Sequence, residues 1–95
     1  MQFLLIAYDG TDADAINRRM AVREDHFRDV RNLKAEKHLI WGGAILDDNG
    51  KMIGSAVVYD YPDRETLDKM LEKEPYIKGG VWKNIEIKPF MLADL

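Results

Sequence analysis

The feature that most constrains this chain lies near its middle. Asp47-Asp48-Asn49-Gly50 separates HLIWGGAIL (His38 to Leu46) from KMIGSAVVY (Lys51 to Tyr59). Asn-Gly between two apolar runs is a strong hairpin signal, because both residues tolerate the backbone of a tight turn. The two runs are therefore expected to pair antiparallel.

The rest of the chain is arranged around that hairpin. QFLLIAY (Gln2 to Tyr8) is a short unbroken apolar run ended by Asp9-Gly10, as in a strand covered on both faces. From about Ala13 to Glu36 the pattern turns helical. Thr11 is the candidate N-cap, Asp12 and Asp14 suit the positive helix end, and Lys34 and Lys37 suit the negative one. Asp63 can cap a second helix from Arg64 to about Glu74. Its apolar side is Leu67, Met70 and Leu71, and Pro75 blocks its continuation. After Gly79-Gly80, WKNIEIKPF (Trp82 to Phe90) alternates as a half-exposed strand does.

The predicted order is β-α-β-β-α-β. This is an α+β chain of the ferredoxin-like arrangement, an antiparallel four-stranded sheet with two helices on one face. Yet FLLIA and SAVV are apolar on consecutive residues, so the second sheet face also calls for cover. A second copy of the same sheet, in a homodimer or higher homo-oligomer, is the expected cover.

Length and composition narrow the function classes. Ninety-five residues, 46% of them hydrophobic and 33% charged, describe one ordered domain over 1–95. A net charge of −3 gives no basic field for phosphate backbones, so no nucleic-acid partner is expected. The N-terminal apolar run is too short for a signal peptide or membrane span, and there are no cysteines. A cytoplasmic protein without membrane association is expected. His26 and His38 have no ligand-spaced neighbours, so no metal is expected, and no motif implies a cofactor. Gly42-Gly43 and Gly79-Gly80 lack phosphate-binding context and read as strand bends or close backbone approaches. The aromatics Tyr8, Trp41, Tyr59 and Tyr61 read as interface or pocket wall.

One stretch breaks the pattern. On a helical wheel of about 100° per residue, Ile16, Met20, Val22, Phe27, Val30 and Leu33 share an arc of roughly 160°. Arg19, Arg23 and His26 fall inside that arc. Burying such groups unpartnered costs several kcal/mol. One explanation is structural: the arginines snorkel along the helix edge, and His26 is a satisfied core or rim histidine. The other is a cleft in which His26 is an acid or base and the arginines hold an anionic or enolic substrate. A proton-transferring histidine needs a carboxylate to orient it, and two stand within reach in this fold: Asp9 at the exit of the first strand, and Glu74 after the second helix. Ser55 has no base beside it in sequence and reads as a strand serine able to touch a ligand.

Taken together, several motifs resemble the YciI-like (YCII-related) family. These are Tyr8-Asp9, Arg19 with Val22-Arg23-Glu24-Asp25-His26, Gly42-Gly43-Ala44, Asp48-Asn49-Gly50 and Gly54-Ser55. Glu74-Pro75-Tyr76, Gly79-Gly80-Val81 and Ile87-Lys88-Pro89-Phe90 follow in the same order. The resemblance implies a dimeric α+β barrel of ferredoxin-like topology with a histidine and an acid as catalytic pair in a cleft. Most of the family has no assigned substrate, and a few relatives dehydrochlorinate hydroxylated, chlorinated aromatics. His26 matches the family histidine, Asp9 the aspartate after the first strand, and Arg19 and Arg23 the helix arginines. The family commonly reads Asp-Pro-Tyr where this chain has Glu74-Pro75-Tyr76, and often Gly-Pro at Gly43-Ala44.

The expectation is a small cofactor-independent enzyme, lyase or isomerase-like, moving protons on a small cyclic or aromatic metabolite. His26 is the acid/base, with Asp9 orienting it and Glu74 in reserve. Arg19 and Arg23 clamp charge, and Ser55 and Tyr76 contact the substrate. The alternative is a non-catalytic dimeric module that binds a small ligand or a partner protein through the same cleft.

Overall fold

Alternating side chains along the strands decide which face of the sheet is core. In β1 (Gln2–Asp9) the residues Phe3, Leu5, Ala7 and Asp9 are buried, while Gln2, Leu4, Ile6 and Tyr8 lie on the opposite face. The computed structural model describes residues 1–95. After β1 come α1 (Ala15–Ala35), β2 (Leu39–Leu46), β3 (Met52–Asp60), α2 (Arg64–Leu71), α3 (Pro75–Lys78) and β4 (Trp82–Phe90). The strands form one antiparallel sheet in the order β2-β3-β1-β4, the expected topology. No helix is long and apolar enough to cross a membrane.

The β2–β3 hairpin forms as expected. Gly50 takes the left-handed backbone (φ 82°), and the Asp47 carboxylate accepts the Asn49 and Lys51 N–H groups at 2.9 Å each. In register, Leu5 faces Val57 and Ile87, and Phe3 faces Tyr59. These residues pack with Leu67, Leu71, Tyr76 and Val81 into the core between sheet and helices.

Helix ends differ from the sequence reading in two places. α1 begins at Ala15 after Asp14, not after Thr11, and has no side-chain cap. Instead the segment before it is tied down by Arg18, which donates to both oxygens of Asp12 at 2.8 and 2.6 Å. That guanidinium holds the Asp12 carboxyl well below the usual carboxylate range. α1 ends where Lys37 turns left-handed (φ 65°), letting the Lys37 and His38 N–H groups reach the carbonyls of Lys34 and Leu33. The second helix does start at Asp63, whose carboxylate accepts the Thr66 N–H, but α2 stops at Leu71. Pro75, excluded from a helix interior, begins a separate short helix for which Glu74 is the N-cap.

The second sheet face carries no helix. Leu4, Ile6, Ala56, Val58 and Trp41 share it by register, with Tyr8 45% and Trp41 47% exposed. Asn84, Glu86 and Lys88 of β4 give it a polar border.

Candidate functional site

The breach in the helical pattern is where α1 meets the sheet. Its buried residues are Ala15, Arg19 and His26, whereas Met20 and Phe27, placed by the wheel in the apolar arc, are 50% and 37% exposed. Val22, Val30 and Leu33 pack against the core from the same side. The polar residues are thus the more deeply buried, and each of the two has a carboxylate.

His26 projects from α1 toward α3. Its Nδ1 lies 2.5 Å from Glu74 Oε1, and its ring stacks on Tyr76 with centroids 3.8 Å apart and planes 12° from parallel. Trp82 meets the imidazole edge-on at 6.3 Å. Glu74, 2% exposed, is no solvated helix end. Its Oε1 also accepts the Tyr76 N–H at 3.1 Å, so the cap of α3 and the partner of His26 are one oxygen. Gly79 lets α3 close onto α1, because a Cβ there would sit 2.9 Å from the Pro75 carbonyl and 3.2 Å from Val22.

Asp9 was the expected orienter of His26, and it is engaged elsewhere. Both its oxygens accept from Arg19 Nη1 at 3.0 Å, in a pair only 4% exposed on each side. The register explains this: Asp9 and Ser55 lie at the end of the sheet beside Arg19, while Glu74 arrives under His26 one helix farther along the chain. Arg19 Nη2 donates to Ser55 Oγ at 3.0 Å, and Trp82 Nε1 donates to the same oxygen at 3.1 Å. Both acceptor positions of Ser55 are therefore filled, leaving only its hydroxyl proton to offer. Arg19 also lies over the Tyr76 ring, 4.8 Å from its centroid.

Arg19 is thus neutralised, whereas Arg23, one turn on along α1, is not. Its guanidinium lies over Phe27 at 4.7 Å from the ring centroid, and no carboxylate lies within ion-pair distance of it. Between α1 and the β2–β3 half of the sheet is a cleft of about 260 Å³. Arg23, His26, Phe27, Ser55 and Tyr76 face it, with the β2 segment Trp41, Gly42 and Gly43 along its edge. Gly42 is a close approach, since a Cβ would lie 3.0 Å from the Ala56 carbonyl, while Gly43 opens onto free space. With Nδ1 held by Glu74, the other His26 nitrogen has no protein partner. Burial is the main cause pushing the Tyr76 hydroxyl up, so it stays protonated at neutral pH.

Five of the seven expected site residues line this cleft: Arg19, Arg23, His26, Ser55 and Tyr76. Asp9 and Glu74 stand behind them as partners of Arg19 and His26. Trp82, which fixes Ser55 and flanks His26, was missed. Its only sequence signal is the need of a buried indole N–H for an acceptor.

A four-stranded antiparallel sheet backed by helices, with polar pairs facing a cleft between the long helix and the sheet, defines a ferredoxin-like α+β domain. Residues 1–91 match the YCII-related domain, and the chain belongs to that family. It is 29% identical over 96 residues to an uncharacterized protein of Haemophilus influenzae, covering 95% of this chain and 96% of that protein. Protein YciI of Escherichia coli is 27% identical over 93 residues, covering 92% and 95%. Among solved structures, 5-chloro-2-hydroxyhydroquinone dehydrochlorinase (TftG) from Burkholderia phenoliruptrix, in complex with 2,5-dihydroxybenzoquinone, superposes with a TM-score of 0.83. It is 20% identical, and the match covers 98% of this chain and 96% of that one. A dimeric ferredoxin-like protein of unknown function from Jannaschia sp. has a TM-score of 0.59 at 12% identity, with 96% and 98% covered. At these identities the structural likeness shows the fold.

Proposed function

We propose that the protein is a small cofactor-independent enzyme that moves protons on a small, anionic cyclic or aromatic metabolite. The observation that carries this reading is the His26–Glu74 pair, with the second ring nitrogen of His26 left open on a cleft. A carboxylate that accepts the Nδ1 proton leaves Nε2 unprotonated in the neutral ring, which is the form a general base needs. Nε2 takes a proton from a carbon or hydroxyl of the substrate, and the Glu74 carboxylate steadies the imidazolium that results. The negative charge left on the ring is held by Arg23. In an isomerisation the same proton returns to another atom; in an elimination an anion departs and the proton passes to solvent. Phe27 supplies a flat apolar wall, and Ser55 and Tyr76 offer hydroxyls to ring oxygens.

The likeness to a dehydrochlorinase holding a dihydroxybenzoquinone supports a hydroxylated ring as the substrate kind. The bare apolar sheet face, together with a fold relative described as dimeric, supports a homodimer closed through that face. A sedimentation measurement returning a monomer at micromolar concentration would remove the dimer.

The test of activity uses 5-chloro-2-hydroxyhydroquinone as trial substrate and 2,5-dihydroxybenzoquinone as trial ligand. Chloride release is expected to fall about 100-fold or more in His26→Ala. Release that is unchanged in that variant contradicts the assignment. Binding of the quinone that survives in His26→Gln, with no compound transformed, selects the ligand-binding module instead.

A further inference from the structure

Behind the acid/base pair is an unanswered carboxylate oxygen. Glu74 Oε1 takes both the His26 ring and the Tyr76 N–H, whereas Oε2 is sealed from solvent and has no hydrogen-bond partner in the protein. The partner must be internal. Arg19 Nε is also unpartnered, but Arg19 makes its ion pair with Asp9 and none with Glu74. Arg18 Nε belongs to the exposed bridge with Asp12 at the start of α1. That leaves the hydroxyl of Tyr59, fully buried on the helix-facing side of β3 and likewise without a partner. Tyr59 belongs to the same packed cluster as Leu71 and Tyr76, which bracket Glu74 three residues before it and two after.

We infer that Tyr59 is a positioning residue for the pair, its hydroxyl donating to an enclosed water that donates in turn to Glu74 Oε2. Such a water satisfies two buried polar atoms that otherwise have no partner, the usual occasion for internal water. Burial pushes the Tyr59 hydroxyl well up, with the charge of Glu74 as the next cause and Tyr61 after it, so Tyr59 stays a donor at working pH. Around the carboxylate, α1 contributes His26, α3 contributes the Tyr76 N–H, and β3 contributes Tyr59. A donor on Oε2, the third on this carboxylate, withdraws charge from it and tempers its pull on the His26 Nδ1 proton. Tyr59 thereby sets how basic Nε2 is without touching the substrate.

The inference rests on the reading of His26 and Glu74 as the acid/base pair, and it is tested apart from that reading. In full-length protein with 15N-labelled histidine, Tyr59→Phe is expected to move the His26 Nδ1 proton resonance downfield, as Glu74 becomes the stronger acceptor. In the trial reaction kcat should change and KM should not. Added to Glu74→Gln, Tyr59→Phe should cause no further change. A resonance that stays in place in Tyr59→Phe overturns the role of Tyr59 and leaves the pair standing. If Glu74→Gln itself fails to move that resonance, the pair is what fails. Should Tyr59→Phe not fold, a crystal structure of the unsubstituted protein decides: one water within hydrogen-bond distance of Tyr59 Oη and Glu74 Oε2 is expected, and a dry gap overturns the inference.

Discussion

α1 buries two polar side chains seven residues apart, about two helical turns, and each meets a carboxylate from elsewhere in the chain. At Arg19 the capacity is nearly used up. Two guanidinium nitrogens are bonded, Asp9 cancels the charge, and Ser55 and Trp82 close the network. At His26 one nitrogen is bonded and the other opens on the cleft. Burial alone therefore does not separate structural from chemical groups. What separates them is bonding capacity left over where a ligand can reach it.

The comparison can be broken most violently at Arg19. Removing either partner strands a buried charge, so Arg19→Met or Asp9→Leu should each cost about 3–5 kcal/mol in chemical denaturation. The double replacement Arg19→Met with Asp9→Leu should recover most of that. If the single variants are nearly as stable as the parent, the Arg19 site is not the structural one. The His26 site should respond in the opposite currency. Glu74→Gln is expected to lower proton-transfer turnover by about 100-fold or more while preserving the fold, as judged by circular dichroism.

Alkaline titration gives a smaller effect. Tyr59, Tyr61 and Tyr76 are all raised above the ordinary value of 10.0, chiefly by burial. Above that pH the unfolded chain has lost tyrosine protons that the native state keeps. Stability should accordingly be flat below about 10 and fall as pH rises toward the folded values. Tyr59→Phe should lessen that fall, which melting curves across the alkaline range would show. The smallest change is at Arg23, a cleft cation with no carboxylate partner. Arg23→Met should alter stability by no more than about 0.5 kcal/mol, yet weaken binding of an anionic quinone measured by calorimetry.

The element order, the hairpin, α1, the start of α2 and the breach at Arg19, Arg23 and His26 were legible because each is a local signal, a turn, a cap or a pattern of period two or 3.6. Which acid meets His26 was not. Asp9 and Glu74 are 17 and 48 residues away from it, and only sheet register and the placement of α3 decide between them. The same limit hid Trp82 and Tyr59. Alternation tells which face a side chain occupies, but not which group across the core it will meet. The split of the second helix was half visible: Pro75 marked a stop, but that the chain would start a new turn with Glu74 as its cap depends on packing against α1.

Glu74 Oε1 caps α3 and holds His26 with one atom. Any substitution at this position is consequently expected to register twice, once at the start of α3 and once at the His26 ring. An aspartate that kept the cap would draw the carboxylate away from the ring, and a glutamine that kept the reach would surrender the charge.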